Sequence, residues 1–188
     1  MLKIWSLRDT YTMSLQMMKS NPRILPNFLI CGAAKCGTTA LYNYLRSHPD
    51  VLMSSPKEPK FFHKRYDRGV DWYAKCFSAY DGESAIAEAS VQTMTNPQSA
   101  SRIKETLGSP KLIFLLRNPI ERAYSHYYYL LYHGMQSTSK SFYEVLLDEK
   151  SKFSKKIKMQ GMYQNQIPYF DNLFDEQKIK IIISKDFK

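Results

Sequence analysis

The chain has 188 residues, 44% of them hydrophobic and 14% aromatic, which excludes a disordered or low-complexity polymer and predicts one domain around one sizeable core. Its 27 Lys and Arg oppose 17 Asp and Glu, a formal charge of +10. The partners expected are therefore anionic, although charge alone does not choose among nucleotides, sulfated or phosphorylated polymers, nucleic acid and acidic membrane surface.

Three cysteines with no C-x-x-C pair exclude a disulfide framework and read as reduced thiols of a cytoplasmic protein. No stretch reaches the length of a membrane span. The first twenty residues have apolar positions at helical spacing interrupted by Arg8 and Asp9. That predicts an N-terminal helical extension over residues 1–26, not a signal peptide, with the main domain over 27–188.

Phe28 to Cys31 reads as a first strand, followed by a loop bounded by Gly32 and Gly37 and a helix beginning near Thr38. Ser47-His48-Pro49-Asp50 stops that helix, and Val51 to Met53 is a second short strand. The polar, basic stretch from Ser54 to Tyr73 is expected to be irregular and to line a cleft, with a short helical pattern from Asp71 to Phe77. Ala85 to Glu88 is a third strand and Asn96 to Leu107 a helix. Lys111 to Leu116 is apolar enough to be buried on both faces, as at the centre of a parallel sheet.

Pro119 opens a long aromatic-rich helix ending before Gly134, and Ser141 with Glu144 forms a capping-box pattern. Lys150, Lys152, Lys155, Lys156 and Lys158 read as a solvated face. A helix over Tyr163 to Phe174 and a strand over Lys178 to Ile183 complete the pattern. Alternating strands and helices predict an α/β fold with a mostly parallel central sheet flanked by helices.

Strand, glycine-bounded loop and helix make an anion cradle, because unpaired N–H groups and the positive helix end converge on one point. Lys35 adds a charge there, and Thr38 and Thr39 add hydroxyls. A Walker loop runs G-x-x-x-x-G-K-S/T, whereas this one runs Gly32-x-x-Lys35-x-Gly37-Thr38-Thr39. Arg117 ends the fourth strand, where a Mg²⁺-dependent nucleotide hydrolase needs an acidic residue. Arg117 and Ser125, on the active edge of such a sheet, suit a second phosphate. The four histidines lack metal-ligand spacing.

These features resemble the sulfotransferases that use 3′-phosphoadenylyl sulfate. The loop resembles their 5′-phosphosulfate-binding loop, and Arg117 with Ser125 resembles their 3′-phosphate signature. Glu58-Pro59-Lys60-Phe61-Phe62 and Arg68 to Tyr73 are similar to the carbohydrate branch, that of the heparan sulfate N-deacetylase/sulfotransferases and 3-O-sulfotransferases. Ala89, where several of these have lysine, is a departure that bears on the acceptor.

The resemblance, covering about residues 27 to 187, implies a P-loop-like α/β fold and sulfuryl transfer to a hydroxyl or amine, with a glycan acceptor and no metal. It makes Glu58 the catalytic base, with His63 as an auxiliary candidate, and Lys35 the stabiliser of the leaving phosphate. It assigns Lys35, Cys36, Gly37, Thr38, Thr39, Arg117 and Ser125 to the nucleotide, and Lys57, Lys60 and Ser90 to the acceptor. Phe61 and Phe62 are expected to be core anchors. Relatives continue into a later Gly- and Lys-rich loop, so the domain is expected to be incomplete at its C-terminus, with weak donor binding. The rival readings are a nucleotide kinase or triphosphatase and a non-catalytic anion-binding module.

Overall fold

The structure is a computed structural model that describes residues 23–135 and 139–186. The helix expected in the first twenty residues lies outside them.

Five strands form one sheet in the order β2-β3-β1-β4-β5. They are β1 (Phe28–Gly32), β2 (Val51–Met53), β3 (Ala85–Ala89), β4 (Lys111–Leu116) and β5 (Ile179–Ile183). Every pairing is parallel. β1 and β4 occupy the centre, and Leu29, Ile30, Cys31, Leu112, Phe114 and Leu115 are each at most 1% exposed. Such continuous apolar runs are what a sheet covered on both faces requires.

The helices of the described residues are α1 (Thr38–Arg46), α2 (Phe61–Lys64), α3 (Gly69–Ala74), α4 (Gln98–Leu107), α5 (Pro119–Tyr132), α6 (Phe142–Leu147), α7 (Lys152–Met159) and α8 (Pro168–Asp171). Asn118 caps α5 by accepting from the Ile120 and Glu121 amides, with Pro119 at the first position. Ser141 and Glu144 form the expected capping box on α6.

Two elements differ from the sequence expectation. The stretch expected to be irregular contains α2 and a 3₁₀ turn over Tyr66–Arg68, and the helical pattern expected from Asp71 begins two residues earlier, as α3. Phe61, Phe62, Tyr73 and Phe77 are wholly buried there, and Phe61 stacks on Tyr73 at 4.3 Å between ring centroids. Burial worth about 1.5–3 kcal/mol per large apolar side chain orders a segment whose polar composition reads as loop.

The lysine-rich run has the expected solvated face: it forms α7, capped by Ser151 and anchored by buried Ser154 and Ile157, with Lys152, Lys155, Lys156 and Lys158 exposed. Finally, the helix expected over 163–174 is broken into a 3₁₀ turn, Tyr163–Asn165, and the single turn α8. Pro168 explains the break, since it lacks an amide hydrogen and is admitted only at a helix start.

Because all strands are parallel, every strand ends on the same edge. The connection from β1 leads to β2 on one side and that from β4 leads to β5 on the other, so a crevice opens between their carboxyl ends. Gly32 is packed so closely at this point that an added Cβ would lie 2.9 Å from Met94 Cβ and 3.1 Å from the Val91 carbonyl oxygen. Gly32→Ala should therefore cost about 1–3 kcal/mol through overpacking, read as a lower urea midpoint. An unchanged midpoint would mean that the 91–94 turn yields freely.

Candidate active site

The crevice is a cleft of about 870 Å³ built from the ends of four strands and two helices. After β1 come Ala34, Lys35, Gly37, Thr38 and Thr39. After β2 come Pro56, Lys57, Glu58, Lys60 and Arg65, and after β3 Val91 and Gln92. Arg117 follows β4, while α5 contributes Ser125, His126 and Tyr129, and the α7 region Lys156 and Gln160. A second cavity of about 480 Å³ lies beyond Arg117, between Asn118, Glu121 and Ile183 to Lys185.

The β1–α1 loop has the geometry of an anion cradle. Lys35 and Gly37 take left-handed backbone, φ 68 and 93, which turns the chain sharply from strand to helix. Gly37 is the N-cap of α1, and no side chain caps it. The amides of the first turn are thus left for an external acceptor. The Lys35 ammonium lies over the Tyr129 ring at 4.2 Å, and burial lowers its pKa from the usual lysine value.

Arg117 is half-buried, and its Nε donates to Glu121 Oε2 at 2.9 Å. The Tyr163 hydroxyl donates to the Arg117 carbonyl at 3.0 Å, fixing the turn that carries the guanidinium. Ser125 faces the same cleft from α5. Glu58 is the one carboxylate among the described residues that line it, with Lys57 Nζ 3.7 Å from Oε1. Opposed to that carboxylate are Lys35, Lys57, Lys60, Arg65, Arg117 and Lys156, a field suited to a polyanionic ligand.

Three expectations need correction. Cys36 is fully buried, its Sγ 3.6 Å from the Tyr163 hydroxyl, and burial pushes the thiol pKa up. Only its backbone is left to serve a ligand.

Ser90 does not line the cleft. It is 1% exposed, and its hydroxyl accepts from the Lys60 amide at 3.0 Å and donates to Glu88 Oε2 at 2.7 Å. It supports the cleft wall from beneath. His63 is also set back from the cleft, with Thr93 Oγ1 3.5 Å from Nδ1. Burial and the nearby Lys60, Lys64 and Arg65 push its pKa down to about 4, which makes it a poor base near neutrality.

Sequence reasoning missed Arg65, His126, Tyr129, Lys156 and Gln160. Tyr129 lies one turn beyond Ser125, so helical spacing from that expected site residue was the available signal, whereas Gln160 lies one turn beyond Lys156, itself missed. For Lys156 the surrounding lysines hid it. Among the described residues, no group of three or more His, Cys, Asp or Glu is gathered to hold a metal ion.

Residues 25–183 match the family model described as the sulfotransferase domain. The chain belongs to that family. A sulfotransferase from Alicyclobacillus acidocaldarius shares the architecture at a TM-score of 0.79 and 30% identity, over 87% of this chain and 75% of that one. The membrane-associated sulfotransferase kil1 of Dictyostelium discoideum is 43% identical over 108 residues, 56% of this chain and 23% of its own length. The bifunctional heparan sulfate N-deacetylase/N-sulfotransferase 1 of Caenorhabditis elegans is 30% identical over 176 residues, 87% of this chain and 20% of that protein.

The chain thus spans about a fifth of the length of these two curated relatives. A family of sulfuryl-transferring enzymes implies a sulfonate donor and an acceptor. In this sulfotransferase domain no helix of the described residues is long and apolar enough to cross a membrane.

Proposed function

We propose that this chain transfers a sulfuryl group from 3′-phosphoadenylyl sulfate to a hydroxyl or amine of a carbohydrate acceptor, without a metal. The observation that carries the reading is the convergence of the Lys35–Thr39 cradle, Arg117 with Ser125, and Glu58 on one cleft. The heparan-sulfate-modifying relatives favour a glycan, and the three unpaired thiols favour a cytoplasmic location.

Glu58 takes the proton as the acceptor oxygen or nitrogen bonds to sulfur. The bond from sulfur to the 5′-phosphate oxygen breaks as the new one forms. Lys35 and the open amides of α1 stabilise the charge left on that phosphate. Products are the sulfated acceptor and 3′,5′-diphosphoadenosine. Arg117 and Ser125 hold the 3′-phosphate, so that sulfur faces Glu58. Lys57 and Lys60, beside the base, and Lys156, across the cleft, are the acceptor contacts of this reading.

The test is metal-free nucleotide binding. 3′,5′-diphosphoadenosine should raise the melting temperature clearly more than ADP, and more than ATP with Mg²⁺. Arg117→Ala should remove roughly ten- to a hundredfold of that preference, the worth of a charged hydrogen bond to phosphate. Equal stabilisation by ADP in the unmodified chain would show that Arg117 and Ser125 do not read a 3′-phosphate.

A further inference from the structure

The bend from Glu58 to Lys60 carries strain and has no glycine to relieve it. Glu58 and Lys60 both hold left-handed backbone, φ 61 and 60, on either side of buried Pro59. Non-glycine residues adopt that region at a cost and stay there only where their surroundings compel it.

The compelling contacts come from β3 and from α2. The Lys60 amide donates to Ser90 Oγ at 3.0 Å, and the Ser90 hydroxyl donates onward to Glu88 Oε2 at 2.7 Å. Arg65 Nη1 donates to the Pro59 carbonyl at 3.3 Å, and the Lys64 and Arg65 amides donate to the Lys60 carbonyl. Glu88 and Ser90 are each 1% exposed, so water does not compete for the relay. A serine oxygen that accepts from an amide must turn its own proton elsewhere, and the buried carboxyl oxygen of Glu88 is where it goes.

The alternative of a substrate contact fails for both residues, because neither lines the cleft. Glu88 also lies within electrostatic reach of Glu58. On the cleft side of the bend, Glu58 is the group the relay ends up orienting.

We infer that Glu88 and Ser90 are positioning residues for Glu58: their relay to the Lys60 amide locks the bend and so aims the base at the acceptor. This rests on the assignment of Glu58 as base. It gives Glu88-Ala89-Ser90 a role through the backbone of the opposing segment, and it accounts for a buried acid with no counter-cation among the groups that perturb it.

The experiment pairs amide exchange with kinetics on the full chain. Ser90→Ala should speed exchange of the Lys60 amide by about tenfold, the worth of one buried hydrogen bond, while β4 amides stay protected. Ser90→Thr, which keeps the hydroxyl, should stay close to the unmodified chain. Ser90→Cys, nearly equal in volume but a weak donor, should repeat the alanine result if alanine compromises folding.

With labelled donor and N-desulfated heparin, kcat should fall about tenfold in Ser90→Ala at unchanged affinity for 3′,5′-diphosphoadenosine, and recover in Ser90→Thr. Unchanged Lys60 exchange in both Ser90→Ala and Ser90→Cys overturns the inference, as does faster exchange with full kcat. Full turnover in Glu58→Gln would overturn the base assignment instead, and the exchange data would stand apart from it.

Discussion

Glu58→Gln should slow sulfuryl transfer by roughly two to four orders of magnitude, the usual contribution of a general base, and leave affinity for 3′,5′-diphosphoadenosine within about threefold. Glutamine keeps the shape and loses the capacity to accept the proton. The residues proposed to hold the nucleotide, Lys35, Thr38, Thr39, Arg117 and Ser125, come from other loops and helices, so the substitution does not reach them.

No nearby group compensates well. Glu58 is the one carboxylate among the described lining residues, and His126, which also faces the cleft, is held near pKa 4 by burial and by Arg122, Lys156 and Lys35. An imidazole so poised is neutral at pH 7 but weakly basic. Single-turnover rates with preloaded labelled donor are the measurement. A Glu58→Gln rate within tenfold of the unmodified chain would sink the assignment.

Glu88→Gln should change the pH dependence of stability by about 3 kcal/mol between pH 4.5 and 7. Burial pushes the Glu88 carboxyl up to about 7, and the charge on Glu58 pushes the same way, against the hydrogen bond from Ser90 and the nearby Tyr73 hydroxyl. The groups facing it are the Tyr73 hydroxyl from α3, the Cys76 thiol that follows, the Cys31 thiol from β1, and Glu58.

A carboxyl whose folded pKa exceeds its unfolded one binds more protons when folded. Its contribution is fully present below about pH 4.5 and is lost as pH rises through about 7. Glutamine carries no such proton, so the variant should gain on the unmodified chain as pH rises, up to that limit.

His63 and His126 act in the opposite sense, since their folded pKa values are lowered to about 4. Their contribution is present above about pH 6.5 and is lost as pH falls through 4, discounted because both rings are partly exposed. In Glu88→Gln only this acid limb should remain. Urea midpoints at pH 4.5, 6 and 8 for both chains decide it, and parallel curves would show that Glu88 does not titrate in this window.

The strands were legible in the sequence because a parallel sheet covered on both faces needs uninterrupted apolar runs, and Phe28 to Cys31 and Lys111 to Leu116 are such runs. The cradle was legible because its parts are local: Gly32, Lys35, Gly37 and Thr38 are fixed by their spacing along a few residues. Arg117 and Ser125 were readable for the same reason, one closing a strand and the other two turns into the helix that follows.

What only the tertiary structure decided concerns residues whose role depends on what lies across from them. The polar stretch after β2 is helical from Phe61 to Lys64 because the expected anchors Phe61 and Phe62 are buried together with Tyr73 and Phe77, and composition does not report that partnership. Lys156 and Gln160 reach the cleft because Ser154 and Ile157 bury the opposite side of α7. Ser90 accepts from the Lys60 amide, two residues from Glu58, and is still not in the site, since its hydroxyl is turned inward to Glu88. Spacing along the chain places a residue at the active edge. Whether its side chain faces ligand or core is set by packing between segments thirty residues apart.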